Sequence, residues 1–196
     1  MAKVSSFRNM VLCLFLICFV CSGLLAVVNA LTQEPIAAVN LAKTNQSIAA
    51  VLPAFDNEPS QDQFDVMVGS DAIAVYPASL QGNLVGYAIK TFSNKGFGGR
   101  ITLMVGFLPD GTIYNTSVVS HGETPGLGDK MDASKSNFSE QFKGVHPANF
   151  RLAVKKDGGD IDAITASTIT SRAFADALKR AYEAYQLIEK TNEEEL

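Results

Sequence analysis

Residues 162–171 read DAITASTITS, and the pattern of the chain changes from strand-like to helical within this stretch. From Ile169 onward the apolar residues recur at helical spacing, through Phe174, Ala177, Leu178, Ala181, Tyr182, Tyr185 and Ile188. The pattern therefore predicts a helix that begins at about Thr168. Hydroxyl side chains crowd around this predicted helix start, namely Thr165, Ser167, Thr168, Thr170 and Ser171.

The predicted helix start is a favourable place for an anion. Its first backbone N–H groups have no partner within the helix, and the positive end of the helix dipole lies there, so both stabilise a phosphate group. Thr168 is therefore a candidate N-cap and a candidate attachment point for a phosphate. The alternative is that Thr168 or Ser167 only caps the helix, because Ser and Thr are common caps.

Composition limits the chemistry that the chain can carry. The 196 residues include 16 Lys and Arg against 20 Asp and Glu, and this mild acidity argues against a nucleic-acid partner. All three cysteines lie in the apolar N-terminal run, at Cys13, Cys18 and Cys21, and the chain has two histidines. The rest of the chain thus lacks the ligands of iron–sulfur or thiolate zinc sites, and we predict no metal site. Redox chemistry there would need an organic cofactor.

The N-terminal region has the pattern of a membrane anchor. Residues 10–28 are uncharged and number about 19, close to the roughly 20 residues that span a bilayer. Lys3 and Arg8 precede this run, so the positive-inside rule predicts a cytoplasmic N-terminus and an extracytoplasmic domain on a single-pass protein of the cytoplasmic (inner) membrane. The alternative is a cleaved signal peptide, because Val28-Asn29-Ala30 resembles a cleavage site.

The remainder predicts one α+β domain with a largely antiparallel sheet. Residues 34–54 have a helical pattern that Pro53 ends, and they suit either a connector helix or a packed helix of the domain. Strand-like segments follow at residues 72–76, 84–91, 101–107 and 112–119, and a hairpin is expected at 151–164. We therefore divide the chain into an anchor at 1–30, a connector helix and loop at 31–64, and a domain at 65–196.

Glycines mark two segments between and after these strands. Residues 94–99 read NKGFGG and lack the spacing of a phosphate-binding loop, so a flexible connection between strands is expected. Residues 123–128 read ETPGLG, in which two glycines and a proline predict a tight, structured loop. His121, just before this loop, is expected to be a loop residue and not a catalytic base.

Taken together, the two motifs resemble those of the FMN-binding domain family, which includes the Rnf complex G subunit and the sodium-translocating NADH:quinone oxidoreductase C subunit. The family's flavin-attachment motif is Ser or Thr, Gly, Ala, Thr, an apolar residue and a hydroxyl residue, with an Asp three positions upstream. The matching positions are Asp162, Thr165, Thr168, Ile169, Thr170 and Ser171. Ala166 departs from the usual Gly, and Ser167 departs from the usual Ala and adds a competing acceptor. All six residues from Glu123 to Gly128 match the family's pocket segment, and the short chain is more similar to the Rnf subunit.

The resemblance implies FMN bound covalently through its phosphate to Thr168. The other implied cofactor-binding residues are Glu123, Thr124, Gly126, Leu127, Gly128, Thr165, Ser167, Ile169 and Thr170. It further implies maturation by a flavin transferase that uses FAD and Mg²⁺, and contact with the lipid bilayer and with other membrane and peripheral subunits of an Rnf-like complex. In such a complex electrons pass between reduced ferredoxin and NAD⁺, coupled to ion movement, and this subunit relays electrons with no catalytic residue or substrate turnover of its own. The alternatives are a stand-alone exported flavoprotein and a membrane-anchored scaffold without a cofactor.

Overall fold

A computed structural model describes residues 7–194 of the chain. These residues belong to two compact units, which are divided after Ala42. Lys3, which contributes to the predicted orientation in the membrane, lies outside the described residues.

The first unit is an exposed apolar helix. Helix α1 runs over Phe7–Val51, and its most apolar window of 18 residues has a mean hydropathy of 3.0 with none of its side chains buried. Within residues 7–194, α1 is the one helix long and apolar enough to cross a membrane. The structure therefore has a single helix where the sequence suggested an anchor followed by a separate connector, and its last turns belong to the second unit.

The second unit is built on a five-stranded antiparallel sheet. The strands are β1 (Phe64–Val68), β2 (Asp71–Leu80), β3 (Asn83–Gly96), β4 (Gly99–Phe107) and β5 (Ile113–Ser120). They pair in sequence order, each with the next, so the sheet is a simple meander. Together with the helices, this confirms the predicted α+β fold with an antiparallel sheet.

Alternation along the strands divides the core between the two faces of the sheet. One face packs against helix α2, which runs over Thr168–Glu194, and it buries the larger core, including Ile89, Leu103, Phe107 and Phe174. The opposite face packs the end of α1 and Leu52 against a smaller cluster. Because α2 covers the long strands β3 and β4, its N-terminus is held next to the hairpin that joins them.

The segment between β5 and α2 has no strand longer than an isolated bridge. It contains short 3₁₀ helices at Gly128–Met131, Phe138–Phe142 and Lys155–Asp157. The predicted hairpin at 151–164 is wrong, because Val154 and Ile161 form a single parallel bridge. The physical reason is the Gly158-Gly159 pair: Gly158 turns the chain at a φ of +78°, and Gly159 lies too close to the Ala153 carbonyl for any side chain.

An ion pair fixes the end of β3 to helix α2. Asp176 accepts hydrogen bonds from Ser93 Oγ at 2.7 Å and from Lys95 Nζ at 2.5 Å. Burial raises the pKa of the Asp176 carboxyl, but the hydrogen bonds from Lys95 and Ser93 outweigh burial and hold its pKa below the ordinary value. The charged carboxylate therefore stabilises the fold.

We expect Asp176→Ala to lower the free energy of unfolding at pH 7 by about 1–2 kcal/mol, since a half-buried acceptor with two hydrogen bonds is lost. A carboxyl with a lowered pKa in the folded state stabilises the fold above its unfolded pKa of about 3.9, and this contribution disappears as the pH falls through the folded pKa. The difference between the variant and the wild type should therefore shrink below about pH 4. Urea unfolding followed by tyrosine near-UV circular dichroism measures this difference. As a control, Lys95→Ala, which removes an exposed partner, should lower the free energy of unfolding by less than about 0.5 kcal/mol.

Candidate functional site

A cavity of about 350 Å³ lies where the start of α2 meets the loop at 123–128 and the β3–β4 hairpin. This volume is within the range of about 300–1,000 Å³ that is usual for small-molecule sites. The lining residues are Phe97, Glu123, Thr124, Leu127, Gly128, Ala166, Ser167, Thr168, Ile169 and Thr170. The structure thus brings both sequence motifs, which are about forty residues apart, to one site.

Two residues of the predicted site do not line this cavity. Thr165 lines a separate, polar cavity of about 380 Å³ on the other side of the turn, together with Asp162 and Lys130. Gly126 shapes the loop instead, because its φ of +79° is a conformation that glycine adopts without strain. The other predicted site residues all line the cavity.

Glu123 connects the three segments that form the cavity. Its side chain is 6% exposed, and its Oε2 accepts a hydrogen bond of 2.6 Å from Thr170 Oγ1 on helix α2. Its Oε1 accepts a bond of 3.0 Å from the backbone N–H of Gly98 in the β3–β4 hairpin. Its own backbone N–H donates to Nδ1 of His121, so His121 orders the loop. Glu123 is also the one ionisable side chain among the residues that line the cavity.

Glycines allow these segments to approach closely. A Cβ atom at Gly128 would lie 2.4 Å from Glu123 Oε2 and 2.8 Å from Thr170 Oγ1, so a side chain there would disrupt the bond between them. A Cβ atom at Gly98 would lie 1.9 Å from the carbonyl oxygen of Gly122. The hairpin end that the sequence indicated as a flexible connection is therefore in tight backbone contact with the site loop.

The start of α2 is braced by serines rather than by Thr168. The Ser167 carbonyl accepts bonds of 3.0 Å from both the N–H and the Oγ of Ser171, and Ser171 Oγ in turn accepts the N–H of Ile164 at 2.9 Å. Ser167 is 7% exposed, whereas Thr168, the first residue of α2, is half-buried and lines the cavity. The helix start at Thr168 confirms the sequence prediction.

The turn into α2 contains a strained alanine. Ala166 has a φ of +62°, the left-handed conformation, in which an L-residue costs roughly 1–2 kcal/mol and glycine costs little. Where the family's motif has a glycine, this chain therefore has an alanine with a strained backbone.

We expect Ala166→Gly to raise the free energy of unfolding by about 0.5–1 kcal/mol, because relief of the left-handed conformation exceeds the entropic cost of glycine. The matched control is Ala163→Gly, since Ala163 is exposed and its φ is not positive. Ala163→Gly should lower the free energy of unfolding. Urea unfolding of both variants measures their free energies of unfolding relative to the wild type. If both variants destabilised equally, the strain at Ala166 would be disproved.

An apolar rim surrounds the mouth of the cavity. Phe97, Leu127 and Ile169 all line it, and their side chains are 71%, 42% and 48% exposed, respectively. Leu127 and Ile169 were predicted from the motifs, but Phe97 was missed. The signal for Phe97 in the sequence is an aromatic residue placed among the glycines Gly96, Gly98 and Gly99.

The donor set of the cavity fits FMN. Hydroxyl side chains and the start of a 27-residue helix lie on one side, where a phosphate is stabilised, and the apolar rim suits a flat ring. Within residues 7–194, no group of three His, Cys, Asp or Glu side chains is placed to hold a metal ion. The hydroxyl side chains, the start of α2 and the apolar rim together suit an organic cofactor that has a phosphate and a flat ring.

Comparison with known proteins agrees with this geometry. A family model for the FMN-binding domain matches residues 96–183, which include both motifs and the hairpin with Phe97. A second family model, for the RnfG N-terminal region, matches residues 1–51 and so ends with α1. The fold and the site define a protein with an FMN-binding domain behind an N-terminal apolar helix, which confirms FMN as the predicted cofactor.

Curated relatives identify the family more narrowly. The G subunit of the ion-translocating oxidoreductase complex of Shewanella piezotolerans is 34% identical over 91% of this chain and 89% of the relative. The proteins of the same name from Aliivibrio fischeri (35% identity, 96% of this chain, 91% of the relative) and Yersinia pestis (38%, 82% and 81%) are similarly close. The chain belongs to the family of G subunits of ion-translocating oxidoreductase complexes. It is accordingly a single-pass membrane protein.

Proposed function

We propose that this chain is the electron-carrying flavoprotein subunit of an Rnf-like ion-translocating ferredoxin:NAD⁺ oxidoreductase, and that it holds FMN covalently at Thr168. The observation that supports the proposal most strongly is the cavity at which the loop with Glu123 meets the start of α2. The chain's membership of the G-subunit family supports the same function. Bound FMN supplies one- and two-electron redox chemistry that no side chain lining the cavity provides.

Thr168 is the acceptor that the local structure favours. It is the first residue of α2 and a half-buried residue of the cavity wall, whereas Ser167, which also lines the cavity, is 7% exposed. Attachment joins Thr168 Oγ1 to the flavin phosphate of FAD, breaks the pyrophosphate bond and releases AMP and the hydroxyl proton. The diester retains one negative charge, which the unpaired N–H groups at the helix start stabilise. A separate flavin transferase with Mg²⁺ makes this bond.

The remaining site residues bind and orient the flavin. Leu127 and Ile169 contribute apolar contacts, Thr124 contributes a hydroxyl donor, and Gly128 leaves room for the bond between Glu123 and Thr170. Glu123 binds both Thr170 and Gly98, so it links helix α2 to the β3–β4 hairpin beside the cavity. Thr165 and Gly126 act through the shape of the two flanking turns. These roles need no general acid, nucleophile or metal ligand.

The family of the chain and its charges support the proposed location and partners. The relatives are named as subunits of a complex, and we infer that this chain assembles with further membrane and peripheral subunits. Arg8 at the start of α1, with Lys3 before it, supports a cytoplasmic N-terminus and an FMN-binding domain on the opposite side of the bilayer.

Affinity purification of the tagged full chain from its native membranes tests this function. We expect a protein that carries covalent flavin and that co-purifies with other membrane subunits able to reduce the flavin from ferredoxin or NADH. A flavin-bearing chain that purifies alone would instead support the stand-alone exported flavoprotein. A colourless chain of unmodified mass, from cells that contain the flavin transferase, would support the scaffold and contradict the proposal.

A further inference from the structure

Phe97 is an exposed aromatic residue that the fold does not use for its own core. It lies in the two-residue tip between β3 and β4, and 71% of it remains accessible. Single exposed apolar residues are common on proteins, but Phe97 lines the same cavity as Leu127 and Ile169, which are also exposed. The three residues thus form one apolar rim rather than scattered surface positions.

The backbone holds Phe97 at the cavity with little freedom. Gly98, its immediate neighbour, donates its N–H to Glu123 Oε1, and its Cα packs against the Gly122 carbonyl so closely that no side chain fits. Gly96 is equally confined, because a Cβ atom there would lie 2.4 Å from the Gly99 carbonyl oxygen and 2.6 Å from Glu123 Oε1. The confined glycines on both sides of Phe97 fix the backbone of the tip against the loop that contains Glu123.

The chemistry of this arrangement matches a flat aromatic ligand. Aromatic side chains bury a large apolar area and contact other rings in offset-stacked or edge-to-face arrangements with centroids about 4.5–7 Å apart. A rigidly placed ring at the mouth of a cavity loses little conformational freedom when a ligand covers it, so the contact favours binding. The exposed area of Phe97 is therefore available to a ligand in the cavity.

We propose that Phe97 is a flavin-contacting residue, which covers the isoalloxazine ring at the mouth of the cavity and shields it from water. This proposal rests on the proposed function, because it requires FMN in the cavity lined by Thr168. Phe97 thereby forms the apolar rim around the flavin together with Leu127 and Ile169.

Tryptophan substitution tests the contact, because the chain contains no tryptophan. An indole in contact with an excited flavin transfers an electron to it and quenches its fluorescence. In the full chain loaded with flavin, Phe97→Trp should lower flavin fluorescence at least about fivefold relative to the wild type, since the new ring lies within aromatic contact distance. The matched control is Phe64→Trp, because Phe64 is 40% exposed at the start of β1 and does not line the cavity. The control should remain as bright as the wild type.

Intact mass is measured on the same samples and separates the two hypotheses. If all three proteins carry the FMN-sized adduct and Phe97→Trp is as bright as Phe64→Trp, the contact with Phe97 is overturned and the proposed function stands. If the wild type, produced with the flavin transferase, carries no adduct, the proposed function is overturned and this inference with it. Selective quenching in Phe97→Trp supports both.

Discussion

Thr168→Ala is expected to abolish covalent flavin incorporation, reducing the FMN-sized adduct from most of the protein to none. The variant lacks the hydroxyl oxygen to which we propose that the flavin phosphate is joined, and the neighbouring Ser167 is only 7% exposed. The helix start should survive, because its bracing hydrogen bonds join Ser167, Ser171 and Ile164 and do not use Thr168. We therefore expect the free energy of unfolding to change by less than about 0.5 kcal/mol. Intact mass and urea unfolding of the full chain measure both effects.

Two control variants make this prediction specific. Thr168→Ser retains a hydroxyl at the same backbone position and should retain the adduct. Ser167→Ala removes the competing acceptor and should retain it as well. An adduct that persists in Thr168→Ala and disappears in Ser167→Ala would assign the attachment to Ser167.

Gly128→Ala is the second variant with a large expected effect. The added methyl would lie 2.4 Å from Glu123 Oε2 and 2.8 Å from Thr170 Oγ1, so the bond between the loop and α2 must break or stretch. Overpacking costs about 1–3 kcal/mol, and breaking a buried hydrogen bond so that its partners are left unsatisfied costs a similar amount, so we expect destabilisation by about 2–4 kcal/mol. The rate of flavin incorporation should also fall at least about tenfold. A rise of about 1.4 kcal/mol in the activation free energy of attachment, caused by the displaced cavity walls, suffices for that.

Gly126→Ala is the matched control for Gly128→Ala. Gly126 has a φ of +79°, but no atom lies within 4 Å of the position that a Cβ atom would take there. Alanine at this position therefore costs backbone strain of roughly 1–2 kcal/mol without touching Glu123. Flavin incorporation should therefore fall less in this control than in Gly128→Ala. Equal loss of flavin in both variants would show that the loop conformation matters and that the contact between Glu123 and Thr170 does not.

Local patterns in the sequence predicted much of the fold. The spacing of apolar residues from Ile169 onward predicted α2, because a helix buries one face. Residues 65–120 predicted a sheet, because they contain segments rich in β-branched and aromatic residues with turn signals between them. The hairpin expected at 151–164 failed because Gly158 and Gly159 permit a tighter turn with a parallel bridge. A strand pattern does not encode which of these two turns forms.

The candidate site was only partly predictable. The residues of the two motifs were identified because each motif is local, but the bond between Glu123 and Thr170 joins positions 47 residues apart and requires tertiary structure. Phe97 was missed for the same reason, since its role depends on the contact of Gly98 with Gly122. The strain at Ala166 could not be predicted either, because it depends on a backbone φ angle that the amino-acid composition does not specify.

The most direct test of the account is to locate the flavin on the wild-type chain by fragment mass spectrometry. Trypsin cleaves after Lys156 and Arg172, and the released peptide 157–172 contains all the clustered hydroxyls, at Thr165, Ser167, Thr168, Thr170 and Ser171. We expect an FMN-sized adduct on this peptide, carried by Thr168 alone. An adduct on Ser167, on another peptide or on none, in protein produced with the flavin transferase, would contradict it.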